Sequence, residues 1–283
     1  MFDLHSHSTV SDGTLTPSEL IAHARKQDVS VLALTDHDSV DGLAEAHKAA
    51  LEAGIKLVNG AEISVTWKGQ TIHIVGLHID PNFAPLREGL AGICEYREWR
   101  AEEIGRRLEK KRIPGAYERA CELAGGSLVA RTHFARFLIE AGYCSSMGEV
   151  FKKYLVRGKP GYVPGEWAPL EEAVGWIRNA GGIPVVAHPA RYRLSATRLR
   201  ALLADFKAAG GLAMEVVSGS QSQDDCRNMA VHAQRAELFA SQGSDYHGPE
   251  NPWNELGRLY QMPEGCKPVW ESDYWHARAA AGQ

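Results

Sequence analysis

The residues best suited to chemistry stand in short polar clusters, most of them directly after an apolar run. His5 and His7 are one residue apart behind an apolar start, and Asp12 follows just before Gly13. Strand side chains alternate faces with a period of two, so a strand over residues 2 to 7 presents both imidazoles on one side. A His-x-His pair alone is weak evidence for a metal site. The later clusters strengthen it: His37 follows Val31–Leu34, Glu62 follows residues 55–58, His188 follows 185–187, and Asp245 and His247 follow 238–240. His73 lies inside a further apolar stretch at about 71–77. Ligands gathered at the C-terminal ends of parallel strands occupy the face on which barrel active sites are built. Helix surfaces and core packing do not produce that bias.

Imidazoles and carboxylates without a thiolate suit Mn²⁺, Fe²⁺ or Zn²⁺ in a reactive site better than a structural zinc. A carboxylate such as Glu62 has two oxygens and can bridge two ions. Ions roughly 3.5–4 Å apart clamp a phosphoryl oxygen between them. Asp3, Asp36 and Asp38 adjoin these positions and have two readings, as orienters of imidazole N–H groups or as caps and turns. His23, His47, His232 and His276 fall in polar helical contexts and are expected at the surface. His78, five residues after His73, is expected on the opposite side of its strand.

The elements that must position these residues follow an α/β rhythm. Thr16-Pro17-Ser18-Glu19 is a capping box opening a helix to about residue 28. Strands at 29–34, 55–58 and 71–77 surround a second helix at about 40–53, and this alternation argues for parallel strands with helices outside. From Phe83 to about Tyr154 the pattern is helical, with the charged run from Glu95 to Arg112 and helices near 116–124, 130–141 and 146–156. A Gly- and Pro-rich loop at 157–165 closes the stretch. Helix, strand, helix, strand, helix, strand then resume at 169–180, 183–187, 196–209, 212–217, 223–235 and 237–240. The expected organisation is one α/β domain, residues 1–82 and 163–283, interrupted by a helical insertion at 83–162.

Bulk properties narrow the class. A chain of 283 residues with 44% hydrophobic and 23% charged residues can bury one large core. Its net charge of −4 excludes the global basic field of a non-specific nucleic-acid binder. The cysteines, Cys94, Cys121, Cys144, Cys226 and Cys266, are scattered without a C-x-x-C and read as reduced thiols. There is no charged and apolar N-terminal signal and no apolar run near the roughly 18 residues of a membrane span. A cytoplasmic protein without membrane contact or an obligate protein partner is expected.

Taken in order, Asp3-Leu4-His5-Ser6-His7, Thr35-Asp36-His37-Asp38, Gly60-Ala61-Glu62, Ala187-His188-Pro189 and Gly243-Ser244-Asp245-Tyr246-His247-Gly248 resemble the successive motifs of the PHP (polymerase and histidinol phosphatase) superfamily. The resemblance covers residues 1 to about 80 and 165 to 250. It implies a distorted (β/α)₇ barrel with two or three divalent ions, Mn²⁺ first and Fe²⁺ or Zn²⁺ as alternatives. It assigns His5, His7, Glu62 and Asp245 to one ion and Asp12, His37 and His247 to a second. Glu62, His73 and His188 go to a third. Many PHP enzymes carry His where this chain has Asp12, and the carboxylate adds negative charge there.

Within the insertion, residues 96–104 and 130–137 resemble the branch of 3′,5′-nucleoside bisphosphate phosphatases and the related 5′–3′ exoribonuclease. That likeness implies removal of a 3′-phosphate by attack of a metal-bound hydroxide, with Asp245, His188 and His247 in catalytic positions. Arg97 and Arg100 lie three apart on one helix face, and Arg131 and His133 begin another helix. They are candidates to grip a second phosphate, because a guanidinium fork matches phosphate oxygens. Phe134 or Trp99 is a candidate to stack on a base. The expected partner is a small nucleotide, with short RNA as the alternative substrate. A histidinol-phosphate-type substrate needs no second grip. From another class, a non-catalytic PHP binding module would tolerate loss of ligands, and this chain has the full set.

Overall fold

The computed structural model describes residues 1–126, 128–251 and 253–281. In chain order the elements are β1 (Phe2–Asp3), α1 (Pro17–Lys26), β2 (Val31–Leu34), α2 (Leu43–Ala53), β3 (Lys56–Trp67) and β4 (Gln70–Leu77). Helices follow: α3 (Ala84–Glu109), α4 (Ala116–Ala124), α5 (Arg131–Glu140), α6 (Met147–Val150) and a π-helical turn at Phe151–Leu155. The chain then runs through β5 (Ala168–Pro169), α7 (Leu170–Asn179), β6 (Ile183–Val186), α8 (Ala196–Ala208), β7 (Ala213–Ser218), α9 (Gln223–Ala236), β8 (Phe239–Gly243) and α10 (Asp273–Ala281).

The strands hydrogen-bond in the order β1-β2-β3-β4-β6-β7-β8, with short β5 beside β3. The last strand returns to the first. Leu4 N donates to Gln242 O at 3.0 Å, Asp245 N to His5 O at 2.8 Å, and His7 N to Tyr246 O at 2.9 Å. The result is a nearly closed seven-strand α/β barrel. Regular pairing in β1 is shorter than the expected strand over 2–7, and beyond Asp3 it continues as these bonds and an isolated bridge at Ser6.

The strands are not all parallel, which corrects the expected arrangement. β4 runs antiparallel to both β3 and β6. Lys68 and Gly69, both with positive φ, form a two-residue hairpin turn between Trp67 and Gln70. The reversal has a direct consequence for the site. It brings His73, near the start of β4, opposite Ser64 on β3, diagonal to Glu62 on the same face. His78, past the other end of β4, instead stands with its ring 4.3 Å from that of Trp275.

The chain divides into two compact units, Met1–Leu90 with Ala168–Gln283, and Ala91–Trp167. Both limits fall later than the expected 83 and 162. The opening turns of α3 belong to the barrel unit, where Leu86 and Leu90 are buried and Gly89 lies against the Trp176 ring. The barrel unit packs Leu4, Ala33, Val58, Val75, Val185 and Ala213 into one apolar cluster that includes Trp275. Phe2 stacks on Trp270 at 4.7 Å in the same region. The second unit has its own core, formed by Ile104, Leu108, Phe134, Leu138, Val150 and Leu155.

Candidate metal centre

Glu62 is the focus of the polar cluster. It sits near the middle of β3, fully buried, where β3 runs on past the end of β2. Its Oε2 lies 3.3 Å from His5 Nε2, 3.3 Å from His7 Nε2 and 3.0 Å from His37 Nδ1. Its Oε1 lies 2.8 Å from His73 Nδ1 and 2.9 Å from His188 Nε2. Five imidazoles therefore share one carboxylate.

Three groupings result. His5, His7, Glu62 and Asp245 form one, all buried, and His7, Asp12, His37 and His247 form another. The third is His37, Glu62 and His73. It differs from the implied set of Glu62, His73 and His188: His188 touches Glu62, while His37 completes the tighter group. All nine proposed ligands lie in this one region.

The spacing fits metal ions better than an internal hydrogen-bond network. His5 Nε2 and His7 Nε2 face each other at 3.1 Å, and they lie 3.4 and 3.1 Å from Asp245 Oδ1. Donors bonded at about 2.1 Å to a common ion stand roughly 3.0–3.4 Å apart, along the edges of an octahedron or tetrahedron. Glu62 Oε2, with three ring nitrogens close by, still has no well-directed hydrogen bond. A buried carboxylate oxygen left so is costly unless a cation completes its surroundings.

Electrostatics point the same way. Burial alone raises a carboxyl pKa, yet the surrounding imidazoles hold Asp12 and Glu62 well below the usual range. Asp245 is held well below it too, by Arg191 first and then His5 and His247. Burial pushes His7 down, but its hydrogen bond to Asp245 and the nearby charge of Glu62 outweigh it and lift the imidazole to about 10. His37 and His188 are lowered by burial, against the pull of Glu62. Ionised carboxylates are thereby held inside a buried cluster of imidazoles. His188 and Asp245 also hold positive φ angles of 29° and 55°, a strained backbone of the kind found where position matters.

Two supporting residues went unread in the sequence. Glu215, on fully buried β7, meets His5 Nδ1 at 2.6 Å and accepts from His188 N at 2.6 Å through its other oxygen. It fixes the His5 ring so that Nε2 faces the cluster. Arg191, three residues after His188, pairs through Nη1 with Asp245 Oδ2, and its Nε donates to Ser220 Oγ at 3.0 Å. The signals were present: a lone Glu in an otherwise apolar strand, and an Arg directly behind a candidate ligand.

The three neighbouring aspartates hold backbone in place. Asp36 accepts from Ser8 N, Ser8 Oγ and Ser11 Oγ, each at 2.7 Å, and so shapes the loop that carries Asp12. Asp3 accepts from Ser244 N at 2.8 Å with one oxygen and from Gly257 N at 2.9 Å with the other. Asp38 accepts from Ser64 N at 2.6 Å.

Inside the second unit the candidate substrate residues divide. Arg97 and Arg100 place their guanidiniums 5.0 and 5.4 Å from the Trp167 ring, and Arg131 lies 5.5 Å from that of Phe151. Burial, then Arg131 and Arg97, lowers Arg100 to about 9, and Arg131 is lowered by burial and Arg97. The guanidiniums of Arg97, Arg100 and Arg131 are thus crowded together and partly desolvated. Trp99 is half exposed beside Tyr96. Phe134 must be corrected: it is 0% exposed, because residues 134, 135 and 138 form the inward face of α5. It packs the core and presents no ring to a base. His133 is also buried, and its Nδ1 accepts from Ala130 N at 3.0 Å at the start of α5.

Among the other histidines, His23 bonds Glu255 at 2.8 Å and His47 bonds Asn59 at 2.5 Å, and neither joins the ligand groupings. Among the described residues no helix is long and apolar enough to cross a membrane.

Comparison with known proteins follows the same line. The family model for the PHP domain matches residues 3–180. The chain is 48% identical over 269 residues to a 3′,5′-nucleoside bisphosphate phosphatase of Chromobacterium violaceum, covering 95% of this chain and 94% of that protein. It is also 48% identical over 273 residues to the 5′-3′ exoribonuclease Rnm of Escherichia coli, covering 96% and 93%. Among solved structures, an amidohydrolase from Chromobacterium violaceum with bound sulfate superposes with a TM-score of 0.93 at 47% identity, covering 98% of this chain and 96% of the other. A chain from Bifidobacterium adolescentis assigned as a metal-dependent phosphoesterase gives 0.81 at 28% identity, covering 93% of each.

Proposed function

Because the chain belongs to the PHP domain family, we propose that it is a metal-dependent phosphohydrolase that removes the 3′-phosphate from nucleoside 3′,5′-bisphosphates. The convergence of five imidazoles on the two oxygens of Glu62 carries the proposal. His5, His7, Asp12, His37, Glu62, His73, His188, Asp245 and His247 would hold two or three divalent ions, Mn²⁺ foremost. Bound there, such ions supply Lewis acidity toward phosphoryl oxygens and an activated water.

The chain's own residues set the geometry. Glu215 fixes His5 and the backbone of His188, and Arg191 holds the outer oxygen of Asp245 while Oδ1 faces His5 and His7. His247, about one-third exposed, stands at the outer edge of the cluster with Nε2 3.2 Å from Asp12 Oδ1. It and His188 are the imidazoles proposed to orient the leaving oxygen. The second phosphate is assigned to Arg97, Arg100 and Arg131. A cytoplasmic location is part of the proposal.

The alternative is a 5′–3′ exoribonuclease using the same metal centre, favoured by similarity to the Escherichia coli enzyme. Phosphate release with Mn²⁺ from adenosine 3′,5′-bisphosphate, 3′-AMP, histidinol phosphate and a 5′-phosphorylated RNA separates the possibilities. The bisphosphate should turn over best. No turnover of any of them sinks the enzyme proposal, and 3′-AMP cleaved as well as the bisphosphate sinks the role given to the arginines.

A further inference from the structure

Ser244 and Gly257 are both held by one carboxylate, that of Asp3. Two candidate ligands, Asp245 and His247, stand between them, and several described residues nearby are fastened in turn. Thr14 N donates to His247 O at 2.8 Å, Thr14 Oγ1 donates to Glu250 Oε2 at 3.1 Å, and Asn254 Nδ2 donates to Asp245 O at 2.9 Å. Gly219 leaves the room for Asn254, since a Cβ there would stand 1.9 Å from Asn254 Oδ1. Asn254 and Leu256 are buried at 7% and 1% exposure, yet Trp253 between these anchors and the candidate ligands is 87% exposed.

An indole so exposed on a tied-down loop is not a packing residue. One side-chain hydrogen bond and one peptide unit separate it from the carbonyl of Asp245, which puts its Cα within roughly 10 Å of that atom. No other large aromatic side chain among the described residues is as exposed.

We propose that Trp253 is a stacking platform for the base of the second nucleotide of an RNA substrate, the nucleotide on the far side of the scissile phosphate. This rests on the nucleotide substrate proposed for the metal centre. In a 3′,5′-bisphosphate and in a 5′-phosphorylated RNA, the same 3′-linked phosphate must reach the metals. In both, water adds to phosphorus, the P–O3′ bond breaks, and the leaving O3′ takes up a proton. The substrates differ only beyond that phosphate, where RNA continues as an ester to a further nucleoside. A residue that discriminates between them must stand on that far side, next to the cluster. An aromatic face suits it, because every base stacks without regard to sequence.

The test uses the full-length chain with Trp253→Ala and Trp253→Phe. Binding of a fluorescein-labelled, 5′-phosphorylated RNA of five nucleotides is followed by anisotropy, in chelator and with Mn²⁺. Turnover of the RNA and of adenosine 3′,5′-bisphosphate is measured alongside. Trp253→Ala should weaken RNA binding roughly 10-fold, within the range for loss of one base stack. It should lower the ratio of kcat/KM on RNA to that on the bisphosphate by a similar factor, through KM, and Trp253→Phe should recover most of the loss. RNA that does not bind the wild type, binding that ignores the substitution, or equal losses on both substrates overturns the role of Trp253. Failure of the wild type to hydrolyse either substrate overturns the metal-centre proposal instead, and the anisotropy still decides whether Trp253 holds a base.

Discussion

At the scale of single residues, the site depends on partners that are not themselves candidate ligands. Glu215 holds His5 from behind, so Glu215→Gln keeps the shape and removes the charge that fixes the imidazole tautomer. Metal affinity should fall 10- to 100-fold, the usual cost of losing such a partner, with activity partly recovered at high Mn²⁺. Metal titration of activity checks this, and unchanged affinity would show that Glu215 only packs. Phe134→Ala gives a contrasting result. Its ring lies in the core of the second unit, so thermal unfolding should register a loss of about 3–5 kcal/mol. KM for the bisphosphate should change little in protein that remains folded. Most of the metal-centre candidates were legible because their types and positions after apolar runs are unusual for a core; His73, inside its strand, and Asp12, in a loop, were assigned by the family resemblance. Glu215 was passed over: its signal, a single Glu inside the buried run of β7, lies within the strand and not after it, outside the pattern that marked the others. Phe134 was misread because an aromatic beside arginines looks like a platform until the helix phase is known.

At the scale of elements, the closing seam between β8 and β1 is the sensitive place. A Cβ on Gly243 would stand 2.3 Å from His5 Cβ and 2.7 Å from His5 N. Gly243→Ala should therefore push the two strands apart, cost about 1–3 kcal/mol of stability and displace His5 from Glu62. Calorimetry together with metal analysis of the purified variant reads both effects; a stable, fully metallated variant would contradict this account of the seam. Most elements were legible in the sequence, from the Thr16 capping box to the helices of the insertion. The direction of β4 was not. Lys68-Gly69 is a weaker turn signal than Asn-Gly, and an apolar run reads the same in either direction. His73 shows what that hid: it reaches Glu62 because β4 is reversed, not because it ends a parallel strand.

At the scale of the whole molecule, ions held by residues far apart in sequence, such as His7 and Asp245, would favour the folded state by mass action. Stripping the protein with a chelator should lower its melting temperature by several degrees, and adding Mn²⁺ back should restore it. An unchanged melting temperature would mean that the cluster binds no ion tightly.

The clamp of Asp3 on Ser244 and Gly257 also fixes an order of events during synthesis. His5, His7, Asp12, His37, Glu62 and His73 are translated before Asp245 and His247. His7 and Asp245 are 238 residues apart in the chain, whereas Glu62 and His73 are 11 apart. Closing the longer loop costs roughly 3 kcal/mol more in chain entropy, so the β3–β4 hairpin can seat its ligands long before the seam forms. The hairpin alone therefore assembles only part of the cluster. The final clasp, shut when Asp3 grips two amides translated long after it, is the step that completes the set.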